Sequence, residues 1–340
     1  MHPNRRLRTG KIPEDVLRRC VLNHLGAPSN RVIRGAAIGE DASVIDMGNR
    51  VLVAKANPIT GAEGNIGRLA VHINANDVAT RGAKPLWFMD TILLPEETNE
   101  SRLYEIMEDI HAACCELGVQ LIGGHTESIR GLNKPIISGF MLGEAKKEKY
   151  ITTEGAKSGD KIILTKTVGL EGTSILATDL EEKLKRKVDQ KTLQRARRMI
   201  DTISVVPEAL KAVDVGGVHA LHTPTEGGVL NGLYEMATAA GIGLRVDENQ
   251  IPIAPETTII AEILGVDPLK LLSSGALLMS VDKRYAGKIL EALEKIHVKA
   301  SLIGDATEKM EGRIIIRSNG TQKKIESVGR DELFRILGNE

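Results

Sequence analysis

Glu40 and Asp41 stand side by side behind a glycine, in the run Gly39-Glu40-Asp41-Ala42-Ser43-Val44. Adjacent carboxylates repel each other unless a cation lies near them. Oxygen-rich sites of this kind suit Mg²⁺, which takes few protein ligands and completes its shell with phosphate oxygens. Taken alone, the stretch reads as a solvated acidic turn before a strand. It gains weight because two polar clusters of similar style follow in the same half, Asn74-Ala75-Asn76-Asp77 and Gly123-Gly124-His125-Thr126-Glu127. Two more glycine-and-acid stretches lie in the second half. These are Gly169-Leu170-Glu171-Gly172-Thr173-Ser174 and Pro224-Thr225-Glu226-Gly227-Gly228, each ahead of an expected helix whose free N–H groups could meet an anion. Neither GxxxxGK[ST] nor GxGxxG occurs, so the chain is no P-loop or Rossmann binder by sequence. Carboxylates reach phosphates through a metal, and the pattern points to a nucleotide held by Mg²⁺ bridges.

The elements that must position these residues follow from periodicity. Pro13-Glu14-Asp15 opens a helix, with an apolar face of Val16, Leu17, Cys20, Val21 and Leu25 and a stop at Gly26. Residues 1–11 are expected to fray. Arg50 to Ala54 is a strand that ends in a loop over Lys55-Ala56-Asn57-Pro58, where Lys55 is open between a phosphate contact and a solvated lysine. Asn65 caps a helix to about Arg81, ended by Gly82, and its spacing puts Asn74 and Asp77 on one side. A strand over 86–94, a helix from Thr98 or Asn99 to Leu117, a strand over 119–122 leading into the Gly123–Glu127 cluster and a strand over 135–142 complete the first half. In the second half, strands near 161–165, 218–221, 243–246, 276–281, 299–303 and 313–317 alternate with helices near 172–180, 181–200, 204–213, 256–264 and 284–295. That alternation predicts an α/β and α+β protein of two domains, residues 1–150 and 155–330, divided in the charged, glycine-bearing segment Gly143–Gly159.

Composition narrows the function classes. Of 340 residues 42% are hydrophobic and 26% charged, and formal net charge is +0, so nothing electrostatic argues for nucleic acid or an anionic membrane. Aromatics at 2% rule against base-stacking platforms, and the core must be aliphatic. Cys20, Cys114 and Cys115 form no CxxC pair and read as reduced in a cytoplasmic protein. No apolar run reaches transmembrane length. His219, His222 and Glu226 fit no common zinc spacing.

The ordered set GEDASV, NANDVATRGAKP, GGHTE, LHTPTEGG and SSGALL resembles the AIR-synthase-related (PurM-like) superfamily over about residues 10 to 320, with the last two forms most like its HypE-like branch. The resemblance implies an N-terminal domain with a mixed sheet and helices, a C-terminal α+β domain, and a homodimer through the N-terminal sheets. It also implies ATP and Mg²⁺ in a cleft lined by both halves. Carried over, Asp41 and Asp77 match the metal-bridging acids, with Glu40 and Asn76 as neighbours and Gly39, Lys55 and Asn57 beside the nucleotide. Gly123, Gly124, Thr126 and Glu127 match a phosphate-approaching motif in which His125 stands where many relatives have an Asp. Glu226, Gly227 and Gly228 match a loop that closes over nucleotide or acceptor, Glu226 orienting the acceptor or a second metal.

Three departures qualify what the resemblance implies. Asn57 and Thr223 stand where the family usually has Asp, which should weaken Mg²⁺ binding. The last cysteine is Cys115, so the chain as written would not run the cysteine-tail chemistry of HypE proper. Cys20 lies on an expected helix, which speaks against a selenophosphate-synthetase-like role. The leading expectation is an ATP- and Mg²⁺-dependent enzyme of phosphoryl-transfer or ATP-hydrolysing synthase or dehydratase type, which activates an oxygen on a small molecule or a protein. A non-catalytic or regulatory nucleotide- or partner-binding homologue and a thiamine-monophosphate-kinase-like enzyme are the alternatives.

Overall fold

Val51 and Val53 are buried between more exposed neighbours, the two-residue period of a strand with one face on a core. In the computed structural model, which describes residue 7 and residues 10–60 and 64–338, that strand is the third of six in the first half. The elements there are α1 (Glu14–Cys20), β1 (Val32–Arg34), β2 (Ser43–Asp46), β3 (Arg50–Ile59), α2 (Ile66–Ala79), β4 (Lys84–Pro95), α3 (Glu100–Leu117), β5 (Gln120–Ile129) and β6 (Ile136–Lys146). The strands form one mixed sheet in the order β1-β2-β3-β6-β4-β5, antiparallel except for β4 beside β5. Helix α2 packs against β3, β6 and α3.

The second half holds β7 (Lys161–Thr165), α4 (Leu170–Asp179), α5 (Glu181–Leu184), α6 (Gln190–Arg198), α7 (Val206–Val215), β8 (Val218–His222), α8 (Gly228–Ala240) and β9 (Gly243–Asp247). It continues with α9 (Pro255–Leu264), β10 (Leu278–Val281), α10 (Ala286–Glu294), β11 (Ala300–Thr307), β12 (Arg313–Ile316), β13 (Gln322–Lys324) and α11 (Glu332–Leu337). Its seven strands lie in the order β13-β12-β9-β11-β7-β10-β8, with β12 parallel to β9. One apolar cluster runs from Val44, Val53 and Ile66 in the first sheet layer to Leu170, Leu221 and Met279 in the second, so the two halves share a core.

Several expected boundaries move. Strand β3 does not stop at Ala54 but continues through Pro58, paired with β6 as Asn57↔Gly139 and Pro58↔Ser138. Beyond Ala54 it has lost its other neighbour β2, and an edge admits proline. Strand β5 likewise runs through the whole glycine-histidine cluster, with Gly124 beside Asp90 and His125 beside Thr91. Helix α1 ends at Cys20, with Val21 and Leu25 exposed beyond it. The expected helix over 181–200 breaks in two, because Asp189 accepts the Thr192 N–H at 3.0 Å and starts α6 afresh. Asn65 adopts φ 55° with no capping hydrogen bond from its side chain. The expected fraying of residues 1–11 falls largely outside the described residues, but Lys11 is placed and bonded.

Candidate functional site

The continuation of β3 decides the site. Lys55 and Asn57 are two apart on a strand and so project from one face, toward α2. Helix α2 answers with Asn74 and Asp77, one turn apart: Asn74 Nδ2 donates to the Asn57 carbonyl at 3.2 Å, and Asn57 Nδ2 donates to Asp77 Oδ2 at 2.9 Å. Lys55 Nζ lies 2.9 Å from the same Oδ2. Thr223, just past β8, donates its hydroxyl to Asp77 Oδ1 at 2.8 Å. The two positions that depart from the family pattern thus meet on one carboxylate.

Asp41 is neutralised differently. Fully buried Arg81, at the end of α2, reaches Asp41 Oδ2 at 3.0 Å, Glu40 Oε2 at 2.5 Å and Thr153 Oγ1 at 2.8 Å. His222 Nδ1 lies 2.8 Å from Asp41 Oδ1, and its Nε2 lies 3.1 Å from Glu235 Oε2 on α8. Lys11 pairs with Glu235. The result is a chain of alternating charge, Arg81–Asp41–His222–Glu235–Lys11, that crosses from one half to the other. Burial alone would lower the His222 pKa, but Asp41 and then Glu235 override it and push it up to about 10. Burial would likewise raise Asp41, yet His222 and Arg81 hold it well below the usual carboxylate range. Asp77 is raised by burial and by the charge of Asp41, against the pull of Lys55.

These groups, apart from Asn74, Arg81 and Thr153, wall a cavity of about 630 Å³, within the size range of small-molecule sites. The opposite wall comes from the second half and the chain's end: Glu171 at the start of α4, Glu226, Ser274 and Leu333. Glu226 sits on a loop whose glycines have φ 82° (Gly227) and 64° (Gly228), and a Cβ on Gly228 would lie 2.5 Å from the Leu269 carbonyl. Asp331 clamps this loop, accepting N–H groups from Gly227 at 2.6 Å, Leu272 at 3.3 Å and Leu333 at 2.7 Å. The PTEGG and SSGALL motifs are therefore neighbours. Burial, with the negative charge of Asp331 and Glu226, pushes Glu171 up to about 7; burial lifts Asp331 to about 6 and also raises Glu226.

Of the residues expected at the site, Gly39, Glu40, Asp41, Lys55, Asn57, Asp77 and Glu226 line the cavity. Asn76 does not: its Nδ2 donates to the Ile203 carbonyl at 2.9 Å and its Oδ1 accepts the Val205 N–H at 2.7 Å, joining the two halves. Gly227 and Gly228 shape the loop behind Glu226. Gly123, Gly124, His125, Thr126 and Glu127 lie exposed on β5, the edge strand at the far side of the sheet from β1, and none of them lines the cavity of this chain. His219 pairs with Asp160 at 2.9 Å rather than with His222. Sequence reasoning passed over Lys11, Arg81, Glu171, Glu235 and Asp331. Arg81 alone had a local signal, a charged residue one helical turn beyond Asp77.

A resident Mg²⁺ at this cavity would have to be held by Asp41 and Asp77. Hard cations need free oxygen ligands. All four carboxylate oxygens of Asp41 and Asp77 already face a protein cation or hydrogen-bond donor. Among the described residues no cluster of three or more His, Cys, Asp or Glu is placed to hold a metal. The arrangement does not fit a resident ion at these acids. No helix among the described residues is long and apolar enough to cross a membrane.

Comparison with known proteins places this geometry in a family. Residues 39–145 match the AIR synthase related protein N-terminal domain, and residues 157–317 match its C-terminal domain. A putative hydrogenase expression/formation protein of Methanocaldococcus jannaschii is 31% identical over 319 residues, covering 90% of this chain and 91% of that one. The carbamoyl dehydratase HypE of Cupriavidus necator is 28% identical over 309 residues, covering 88% and 86%. Among solved structures, a chain of a HypE–HypF complex superposes with TM-score 0.74 at 23% identity, covering 92% of this chain and 99% of that chain. HypE in complex with ATP superposes with TM-score 0.72 at 23% identity, covering 96% and 97%. The chain belongs to the AIR synthase-related family, with the two-domain PurM-like fold. Within that family it stands with the HypE-like hydrogenase maturation proteins.

Proposed function

We propose that this chain is an ATP-dependent enzyme of the HypE-like kind, which activates a carbamoyl-type or related oxygen by phosphoryl transfer. The observation that carries the reading is the cleft itself. Acids of the first half are bound through His222 and Thr223 to a second half that presents Glu226 on a glycine loop, in a fold shared with an ATP-bound HypE. The γ-phosphoryl group would pass to the acceptor oxygen with release of ADP. Loss of that oxygen as phosphate, with the adjacent nitrogen giving up one proton at phosphorylation and its second at this step, would complete a dehydration. Such transfer depends mainly on positioning and on charge placed in advance. Lys55 faces the incoming anion, and Glu226 orients the acceptor.

We infer two domains, residues 1–150 for nucleotide binding and dimerisation and residues 155–330 for closure over the acceptor, in a cytoplasmic protein. The outer edge of β5, exposed along Gly123–Glu127, is the surface we assign to a homodimer, since an open strand edge invites pairing. A maturation protein as partner, as in the HypE–HypF complex, is compatible with the same reading.

Calorimetric titration with ATP and its non-hydrolysable analogue, paired with a phosphate-release assay using carbamoyl compounds, tests the proposal. Saturation near 100 times Kd should add about 2.7 kcal/mol to unfolding stability. A chain that binds no adenine nucleotide is not this enzyme. Binding without turnover of any acceptor would favour the second reading, a regulatory homologue, which the neutral Asn57 and Thr223 on Asp77 support.

A further inference from the structure

Charge matching in the cleft assigns a cation to Asp77 from within the chain. Its Oδ2 takes Lys55 and Asn57, and its Oδ1 takes Thr223. Lys55 comes from the first sheet and Thr223 from the end of β8, so the arrangement is set by the closed tertiary structure. One carboxylate and one ammonium sum to zero, and the other two partners are neutral donors. A carboxylate at either neutral position would leave excess negative charge suited to a doubly charged ion; with Asn and Thr there, one ammonium suffices. The pair is also shielded: the Asp77 side chain is 4% exposed and that of Lys55 19%. A divalent ion approaching Asp77 would therefore meet a fixed positive charge in a medium that screens poorly.

We propose that Lys55 is the resident counter-ion of Asp77 and excludes divalent cations from this acid, with Asn57 and Thr223 as the neutral donors that make a single charge sufficient. The cation is here covalently part of β3 rather than drawn from solution. The inference concerns the cleft of the proposed ATP site and rests on that reading for its biological use, but its test contains no nucleotide.

The experiment is a Mn²⁺ titration of the full chain, followed by the electron paramagnetic resonance signal of the free ion. Four proteins are compared: native, Asp77→Asn, Lys55→Gln, and Lys55→Gln with Asp77→Asn. Native chain and Asp77→Asn should take up Mn²⁺ alike. Lys55→Gln should bind about tenfold or more tightly, as removal of an adjacent like charge requires, and the double variant should lose that gain. Tight Mn²⁺ uptake by the native chain that falls tenfold in Asp77→Asn overturns the proposal, even if Lys55→Gln fails to fold. So does a Lys55→Gln variant that folds and binds no better than native, or one whose gain survives Asp77→Asn. Lys55→Arg, which keeps the charge, should behave as native; Mn²⁺ binding by it as tight as by Lys55→Gln would also overturn the idea. ATP binding measured separately decides the nucleotide reading independently of these outcomes.

Discussion

The two walls of the cleft treat their carboxylates in opposite ways. On the first, Glu40, Asp41, Asp77 and Glu235 are each matched by a cation, from Arg81, His222, Lys55 and Lys11. On the second, Glu171 is hydrogen-bonded to Ser274 and Asp331 to backbone N–H groups, and burial pushes both upward. The first wall sets a cation against each acid, although burial still raises Asp77; the second offers its acids only neutral donors, and burial raises them. A matched wall is preformed and resists rearrangement, because removing one partner strands a buried charge. An unmatched wall can give up or take up protons near neutral pH, which is what an acid facing a reacting oxygen needs.

This contrast can be broken at several points. The largest effect is expected at Arg81. Arg81→Met leaves Glu40 and Asp41 buried without their cation and should cost about 3–5 kcal/mol in denaturant unfolding; a loss under 1 kcal/mol would mean that the charge chain does not bolt the halves together. Glu171→Gln probes the other wall. The native carboxyl has its pKa raised from 4.5 to about 7. Its stabilising contribution is therefore complete below pH 4.5 and lost as pH rises through 7. Across that window the variant should gain about 3 kcal/mol relative to native, and parallel stability curves would contradict a protonated second wall.

Smaller effects sharpen the picture. Asn57→Ala removes one hydrogen bond to Asp77 while Lys55 and Thr223 remain, and should cost about 1–2 kcal/mol, read from urea midpoints at unchanged slope. His125→Ala, on the exposed edge of β5, should change the stability of the isolated chain by less than about 0.5 kcal/mol. Sedimentation of the same variant with a charge added, Thr126→Lys, should show a weakened dimer; an unaltered association state would remove β5 from the proposed interface.

Much of the fold was legible because it is written locally. The strands expected over 50–54, 86–94 and 135–142 appear in β3, β4 and β6, the helices expected over 65–81 and 98–117 appear as α2 and α3, and a helix, α8, follows the loop at 222–228. The ends differ: the strand pattern stops before Lys55 and before Gly123, yet sheet pairing carries β3 and β5 onward, since a backbone with a neighbour to bond continues whatever its side chains are. At the site, Asp41, Asp77 and Glu226 were visible as acids beside glycines. Glu235 was not, because an acid inside an amphipathic helix looks like any solvated face until the helix is docked, and Arg81, just past the end of α2, offered only its spacing from Asp77.

The chain's order of residues determined that acids stand at Gly39–Asp41 and Asn76–Asp77, that glycines shape the loop at 227–228, and that five motifs of one family occur in sequence. Only the tertiary structure decided which charge neutralises which. His222 and Thr223 reach the acids of the first half, and Lys11 of the first half reaches Glu235 of the second, only because two sheets with a shared core close on each other. Ionic contacts act through a few ångströms of space and are indifferent to separation along the chain, so spacing in sequence carries no record of them.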